Sequence, residues 1–106
     1  MRHHDPQQLK GVLGLLLLAL LDEREDYGYA LVVRLRDHGF PDVAEGSVYP
    51  ALTRMERHGL LAAHLQASSS GPARKVYRLT REGAAELKRA ADAWTDLVDS
   101  VGRVLS

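Results

Sequence analysis

The fold is decided by Ser47–Gly59, which read SVYPALTRMERHG. At about 100° per residue, the apolar side chains of this segment fall on one arc of a helix and the polar ones on the opposite arc. The apolar arc contains Val48, Ala51, Leu52 and Met55. The polar arc contains Ser47, Pro50, Thr53, Arg54 and Arg57, with Tyr49 at its edge. We therefore predict a helix over residues 47–58 that packs inward on one side and exposes hydroxyl and guanidinium groups on the other.

Both ends of this helix carry sequence signals. A serine hydroxyl at the N-cap accepts a hydrogen bond from a free backbone N–H group, so Ser47 is the expected N-cap. That start places Pro50 in the first turn, where the missing N–H of proline is harmless. Gly59 is expected to end the helix, because glycine readily takes the left-handed conformation found there.

The neighbouring segments predict a helix before this one and a β-hairpin after it. We expect Asp26 to cap the preceding helix and Gly39 to end it. Leu60–Gln66 and Lys75–Leu79 have the composition of strands. The Ser- and Gly-containing residues 67–73 between them predict a flexible connector.

The first and last helices complete the chain. Asp5 followed by Pro6 predicts the start of the first helix, and Thr80 is expected to cap the last one. The run Val12–Leu21 is apolar throughout except for one glycine. It is too short for a membrane span, which needs about 20 residues, and the acidic residues that follow it do not form a signal-peptide cleavage site. A helix that is apolar on all sides must be covered on all sides, which suggests a partner.

This order of elements predicts a mainly α fold with a small β-hairpin. We expect a winged helix-turn-helix over residues 1–80 and a C-terminal dimerisation helix over residues 81–106, together forming one compact unit. A chain of 106 residues is long enough for one domain with a hydrophobic core, and the absence of cysteine excludes disulfides, thiolate zinc sites and cysteine nucleophiles.

The charge distribution is uneven although the formal net charge is zero. A neutral chain would argue against nucleic acid, because phosphate binders usually carry an excess of basic residues. Residues 34–81, however, hold eight cations against four anions, a net +4, whereas residues 1–33 and 82–106 each carry −2. The eight cations are Arg34, Arg36, Arg54, Arg57, Arg74, Lys75, Arg78 and Arg81.

The positive excess lies on the predicted third helix and hairpin. Hydroxyl and guanidinium groups on an exposed helix face can reach phosphates and base edges in a major groove, and Arg74 and Lys75 at the base of the hairpin could hold a phosphate beside it. The alternative is a solvated helix face with surface arginines. A basic helix and a basic hairpin together favour a nucleic-acid partner more strongly than either element would alone.

The last helix carries an apolar stripe with the spacing of a two-stranded coiled coil. We predict that this stripe and the first helix form a homodimer interface, with packing of the stripe on its own domain as the alternative. Trp94 is then either an interface anchor or, with Val98, part of a pocket for a planar apolar effector. The predicted interface residues are Leu13, Leu16, Leu20, Leu87, Ala91, Trp94, Val98, Val101 and Leu105.

Two blocks of sequence resemble the PadR family of bacterial transcriptional regulators. They are EGSVYPAL at residues 45–52 and RKVYRLT at residues 74–80, accompanied by YGYAL at residues 27–31. The resemblance extends from about residue 9 to residue 100. It implies a dimeric winged-helix repressor in a bacterial cytoplasm that binds a pseudo-palindromic operator in double-stranded DNA. In this family the third helix enters the major groove and reads the DNA sequence, and the β-hairpin, called the wing, touches the DNA backbone. By position, the resemblance places Ser47, Tyr49, Pro50 and Arg54 on this reading helix, and Arg74 and Lys75 on the wing.

Enzyme and metal chemistry have little support in this sequence. It contains neither a G-x-S-x-G motif nor a phosphate-binding loop, and we expect no cofactor. His3 and His4 fall in a terminus expected to be frayed, and the other histidines lack the spacing of metal ligands. The alternative function is a winged-helix module that binds another protein without DNA or an effector.

Overall fold

The computed structural model describes residues 4–106, which form four helices and a three-stranded antiparallel sheet. The sheet order is β1-β3-β2. The expected mainly α fold with a small β-hairpin is therefore confirmed, with one strand more than predicted. The elements are α1 (Pro6–Glu23), β1 (Asp26–Tyr27), α2 (Gly28–Asp37), α3 (Glu45–Arg57), β2 (Leu61–Ser68), β3 (Gly71–Leu79) and α4 (Arg81–Leu105).

The helix ends follow the sequence signals at several positions. The Asp5 carboxylate accepts hydrogen bonds from the backbone N–H groups of Gln7 and Gln8, at 2.8 and 3.3 Å, and Pro6 is the first helical residue. Gly39 and Gly59 follow the ends of α2 and α3 with φ of +98° and +78°. These predicted caps and stops are confirmed.

The start of α3 differs from the prediction. The helix begins at Glu45, with Ala44 as an N-cap that offers no side-chain hydrogen bond. The backbone carbonyl of Ala44 instead accepts from the N–H groups of Ser47 and Val48, at 3.0 and 3.1 Å. Ser47 is therefore inside the helix rather than at its cap, and Pro50 is its sixth residue rather than part of the first turn.

The core lies where α1, α2 and α3 meet. The apolar arc of α3 is buried as predicted, and Leu17, Leu31 and Leu52 are completely buried. Leu13 and Leu20, which we expected at a dimer interface, are only 7% and 6% exposed within a single chain. They belong to the core because α1 turns that side toward α2 and α3, so they do not supply a surface for a partner.

Arg34 joins three elements at the edge of this core. Its side chain is buried, and its guanidinium Nη1 lies 3.2 Å from the Asp26 carboxylate. The Nη2 group donates to the carbonyl of Leu20 at 3.0 Å and to the Glu23 carboxylate at 3.4 Å. Asp26 is therefore not the N-cap of α2, as we predicted. It lies in β1, where its carboxylate binds Arg34 and its backbone pairs with Tyr77 of β3.

The hairpin is longer and more regular than predicted. Strand β2 continues to Ser68 and β3 begins at Gly71, so only Ser69 and Ser70 form the turn. The register pairs Leu61 with Leu79 at the base and Ser68 with Gly71 at the tip, with one irregularity between Gln66 and Ser68. The expected flexible connector over residues 67–73 is wrong, because cross-strand pairing orders most of it.

Helix α4 is capped at its first turn by Thr80 and packs against α1. The Thr80 hydroxyl accepts from the Gly83 N–H at 3.0 Å, which confirms the predicted cap, and it also lies 2.7 Å from the Gly59 carbonyl oxygen, to which it donates. Gly83 is buried, and a Cβ atom there would overlap the carbonyl oxygen of Leu60. The entry of α4 therefore requires glycine. No helix in the described part of the chain is long and apolar enough to cross a membrane.

The close contact at Gly83 predicts a stability effect opposite to that of helix propensity. We expect Gly83→Ala to lower the free energy of unfolding by about 1–3 kcal/mol, because the added methyl group meets rigid backbone. Gly11→Ala is the matched control, since Gly11 is exposed inside α1 with no atom within 4 Å of the new Cβ. It should instead raise stability by about 1 kcal/mol.

Thermal unfolding at one fixed protein concentration measures both variants, since stability depends on concentration if the chain associates. One kcal/mol corresponds to a shift of roughly 4–8 °C in Tm for a domain of this size. An increase in Tm for both variants would show that the backbone near Leu60 yields easily, contrary to this expectation.

Candidate nucleic-acid interface

The polar arc of α3 forms one exposed face of the molecule. Ser47, Pro50, Arg54 and Arg57 are all exposed. Thr53 is exposed too, although its hydroxyl donates to the Tyr49 carbonyl at 3.1 Å. Within the described part of the chain, neither arginine forms an ion pair. Both guanidinium groups are therefore available to an anionic partner.

Tyr49 connects α3 to the start of α2. A Cβ atom at Gly28 would overlap the Tyr49 ring, so the ring lies directly against the backbone of the first residue of α2. The ring nevertheless remains 41% exposed. The pKa of the Tyr49 hydroxyl is raised, mainly by partial burial and to a smaller extent by the negative charge of Glu45. The hydroxyl is therefore protonated at neutral pH and can donate a hydrogen bond.

Lys75 connects the hairpin to α3 instead of pointing freely into solvent. Its ammonium group donates to the Glu56 carboxylate at 2.8 Å and lies 5.3 Å from the centre of the Tyr77 ring. The hydrogen bond with Glu56 raises the pKa of Lys75, so this side chain stays charged. This pair was not predictable from sequence pattern, because Glu56 and Lys75 lie 19 residues apart on different elements.

Arg74 lies on the other face of the hairpin, since successive side chains of a strand alternate. Its guanidinium group is placed 4.5 Å from the centre of the Tyr27 ring, a cation–π arrangement that supports the side chain. A polar depression of about 490 Å³ lies beside it, lined by Gln66 and Ser68–Ser70 from the hairpin and by Glu25–Tyr27. Because β3 begins at Gly71, Arg74 and Lys75 are in the middle of the strand rather than at the hairpin base as predicted.

Two of the eight cations in the basic segment are structural. Arg34 binds the end of α1 and β1 as described above. Arg36 donates twice to the carbonyl oxygen of Val43, through Nε at 3.2 Å and Nη2 at 3.1 Å, and so holds the turn before α3. Arg36 is exposed despite these bonds. The other exposed cations of the segment are Arg54, Arg57, Arg74, Lys75, Arg78 and Arg81.

The second half of α4 exposes most of the predicted apolar stripe. Trp94, Val98 and Val101 are close to half exposed, and Leu105 is 80% exposed. Leu87 is instead half-buried and packs on the core, as Leu16 does from α1. Ala91 is also half-buried. The structure further exposes Leu97 and Val104, which our heptad assignment did not include.

Trp94 also borders a groove between α1 and α4. The groove has a volume of about 420 Å³, and its apolar wall includes Val12, Leu15, Ala90 and Leu97. Glu86 and Arg89 form its polar rim, where the Arg89 guanidinium donates to the carboxylate at 2.6 and 2.8 Å and lowers the pKa of Glu86. Val98, which we placed with Trp94 in a pocket, is not among the residues that line this groove.

The histidines that the structure describes do not assemble into a metal site. Among residues 4–106, no group of three His, Asp or Glu side chains is arranged to hold a metal ion. His4 is not frayed as expected, because its Nε2 atom lies 2.8 Å from the Gly39 carbonyl oxygen and its ring lies against that of Phe40. His38 Nδ1 lies 2.7 Å from the Arg34 carbonyl oxygen. His3 lies outside the described residues.

The fold and this surface define a winged-helix protein. Helices α2 and α3 form a helix-turn-helix, and the β2–β3 hairpin that follows is the wing. Comparison with protein families matches residues 17–89 to the transcriptional regulator PadR-like family. The chain belongs to this family, whose members are DNA-binding transcriptional regulators and not enzymes.

Individual relatives support the same assignment. The chain resembles the crystal structure of a PadR-like transcriptional regulator from Bacillus cereus, with 41% identity and a TM-score of 0.83 over 94% of this chain and 97% of that one. A PadR family regulator from Eggerthella lenta is 40% identical with a TM-score of 0.86, over 94% of this chain and 88% of that one. A transcriptional regulator of Mycobacterium tuberculosis is 38% identical over 79 residues, covering 74% of this chain and 72% of that protein.

Proposed function

We propose that this chain is a dimeric repressor that binds a pseudo-palindromic DNA operator in the bacterial cytoplasm and is released by a small-molecule effector. The observation that carries the DNA-binding part is the concentration of exposed cations on two adjoining elements. Exposed arginines lie on α3 and on β3, and the ion pair between Lys75 and Glu56 holds these two elements together.

In this proposal α3 enters the major groove and the wing lies on the neighbouring backbone. Arg54 and Arg57 are long enough to reach guanine edges or phosphates, and Ser47 and Tyr49 add hydroxyl groups near the start of the helix. Arg74, supported on the Tyr27 ring, would bind a phosphate. Lys75 would contribute mainly by holding the wing, because Glu56 already neutralises it.

The dimer part of the proposal is supported by the exposed half of α4. A monomer would leave Trp94, Leu97, Val98, Val101, Val104 and Leu105 in water, and contiguous apolar surface of this kind is typical of an interaction site. A second copy would cover the stripe and present two reading helices to DNA. Their expected separation is about 34 Å or a multiple of it, which sets the spacing of the operator half-sites.

Removal of Arg54 and Arg74 tests the assigned surface. We expect the Arg54→Ala, Arg74→Ala double variant to lose most of its operator retention in gel-shift assays. If all four side chains of the dimer bind phosphates, the salt slope of log K falls by about 4, because each neutralised phosphate contributes about 0.9. The operator is first obtained by capturing genomic DNA fragments with the purified protein. Lys88→Ala is the matched control, since it removes an exposed cation from α4.

Undiminished binding by the double variant would show that DNA contacts another surface. If the wild-type protein retains no DNA fragment and shows no salt-dependent binding, the DNA-binding proposal fails, and a wing that binds another protein becomes the better reading.

Charge placed on the α4 stripe tests the dimer. We expect Val98→Asp to produce a monomer in sedimentation equilibrium and to weaken operator binding at least tenfold, because each half-site is then bound separately. Arg103→Gln changes the net charge by the same amount on the polar side of α4 and should leave both properties unchanged. A dimer that persists in Val98→Asp would place the interface elsewhere.

The effector part of the proposal rests on Trp94 and the groove beside it. Trp94 is the only tryptophan, so intrinsic tryptophan fluorescence reports on this site alone. A planar apolar compound stacked on the ring should quench that fluorescence in a saturable way and weaken operator binding over the same concentration range. Saturable quenching with unchanged DNA affinity would show that the groove binds ligands without regulating the protein.

A further inference from the structure

Glu56 and Lys75 form an ion pair at the junction of the two elements proposed to contact DNA. The Lys75 ammonium lies 2.8 Å from the Glu56 carboxylate. Glu56 belongs to α3 and Lys75 to the wing strand β3. Arg57 follows Glu56 in the chain, and Arg74 precedes Lys75. The pair therefore adjoins an exposed arginine in each of the two elements.

Both members of this pair are accessible from solvent. The Lys75 side chain is close to half exposed, and that of Glu56 is about one third exposed. Leu65 lies opposite Lys75 in the register of β2 and β3, so the two side chains share one face of the hairpin. Because Leu65 is 72% exposed, this face is open beside the lysine. An anion that approaches the wing can therefore reach the Lys75 ammonium group.

The geometry points to Glu56 as an intramolecular competitor of DNA for Lys75, a residue that lowers the affinity of the protein for any duplex. A carboxylate and a phosphate are both anionic acceptors for an ammonium group. If Lys75 stays on Glu56, it neutralises no phosphate and releases no counterion. If Lys75 moves to a phosphate, the Glu56 carboxylate is left unpaired beside a polyanion. Either arrangement weakens DNA binding.

The effect of Glu56 is expected to be the same for every DNA sequence. Phosphate contacts carry no sequence information of their own, so a lysine withheld from phosphate weakens operator and unrelated duplexes alike. Glu56 would then set the strength of binding, whereas the exposed arc of α3 sets the preferred sequence. The inference rests on the proposed function, since it requires DNA to lie against both α3 and the wing.

The variant Glu56→Gln tests the competition, because it removes the charge and keeps an oxygen that can accept a hydrogen bond from Lys75. Surface ion pairs contribute little to stability, so thermal unfolding should match the wild type. Fluorescence anisotropy measures binding to the operator and to an unrelated duplex of equal length. We expect both affinities to rise about threefold or more, and the salt slope of log K to steepen by about 2, since two lysines of the dimer then bind phosphates.

A double-mutant cycle with Lys75→Ala separates this competition from general charge repulsion. In the Lys75→Ala protein no lysine can be released, so adding Glu56→Gln should lose most of its gain in affinity and leave the salt slope unchanged. Glu45→Gln is the matched control, because it removes the other carboxylate of α3. Any gain from that variant reflects repulsion alone, so it should be equal with Lys75 present or absent.

Two results would overturn the inference. Unchanged or reduced affinity in Glu56→Gln would show that the ion pair serves only to hold the wing. A gain of the same size in the Lys75→Ala protein would show that Glu56 merely repels DNA. Both results leave the proposed DNA-binding function intact. A wild-type protein that binds no duplex at all would instead contradict the proposed function itself.

Discussion

The buried guanidinium of Arg34 is the interaction on which the rest of the arrangement depends. It binds the last turn of α1 through the Leu20 carbonyl and binds β1 through Asp26, while its own backbone belongs to α2. Strand β1 in turn pairs with the wing strand β3. Breaking a largely buried ion pair costs about 3 kcal/mol or more, a large part of a total stability of roughly 5–15 kcal/mol. Arg34 thus links the helical core to the sheet, and the ion pair between Lys75 and Glu56 adds a second link to the wing.

Sequence patterns confined to one helix were sufficient to predict that helix. The apolar arc of α3, with Val48 and Leu52 completely buried, follows from helical periodicity alone. Asp5 and Thr80 announce helix starts because their side-chain oxygens accept backbone N–H groups three residues or fewer ahead. Both kinds of signal involve residues that are close in the sequence, so they can be recognised without knowledge of the tertiary structure.

The features that sequence reasoning missed depend on contacts between elements. Aspartate is a common N-cap residue, but Asp26 binds Arg34 and pairs with β3. It therefore lies in a two-residue strand that is too short to recognise by pattern. Cross-strand pairing likewise orders a Ser- and Gly-containing segment that reads as a loop. At the candidate site, the exposed arc of α3 was predictable, whereas the pairing of Lys75 with Glu56 and the support of Arg74 by Tyr27 were not.

The contact of Tyr49 with Gly28 has a mechanical consequence. Because the Tyr49 ring is seated on the backbone of Gly28, α2 and α3 are in close contact at this point, and we expect a tilt of one helix to displace the other. The two helices would then move as one rigid unit. In the described part of the chain, the hairpin tip beyond Gln66 forms hydrogen bonds only within the hairpin. We therefore expect the hairpin, rather than the helix pair, to adjust to a duplex of different groove width. The α2–α3 pair would thus supply rigidity and the neighbouring hairpin tip would supply compliance.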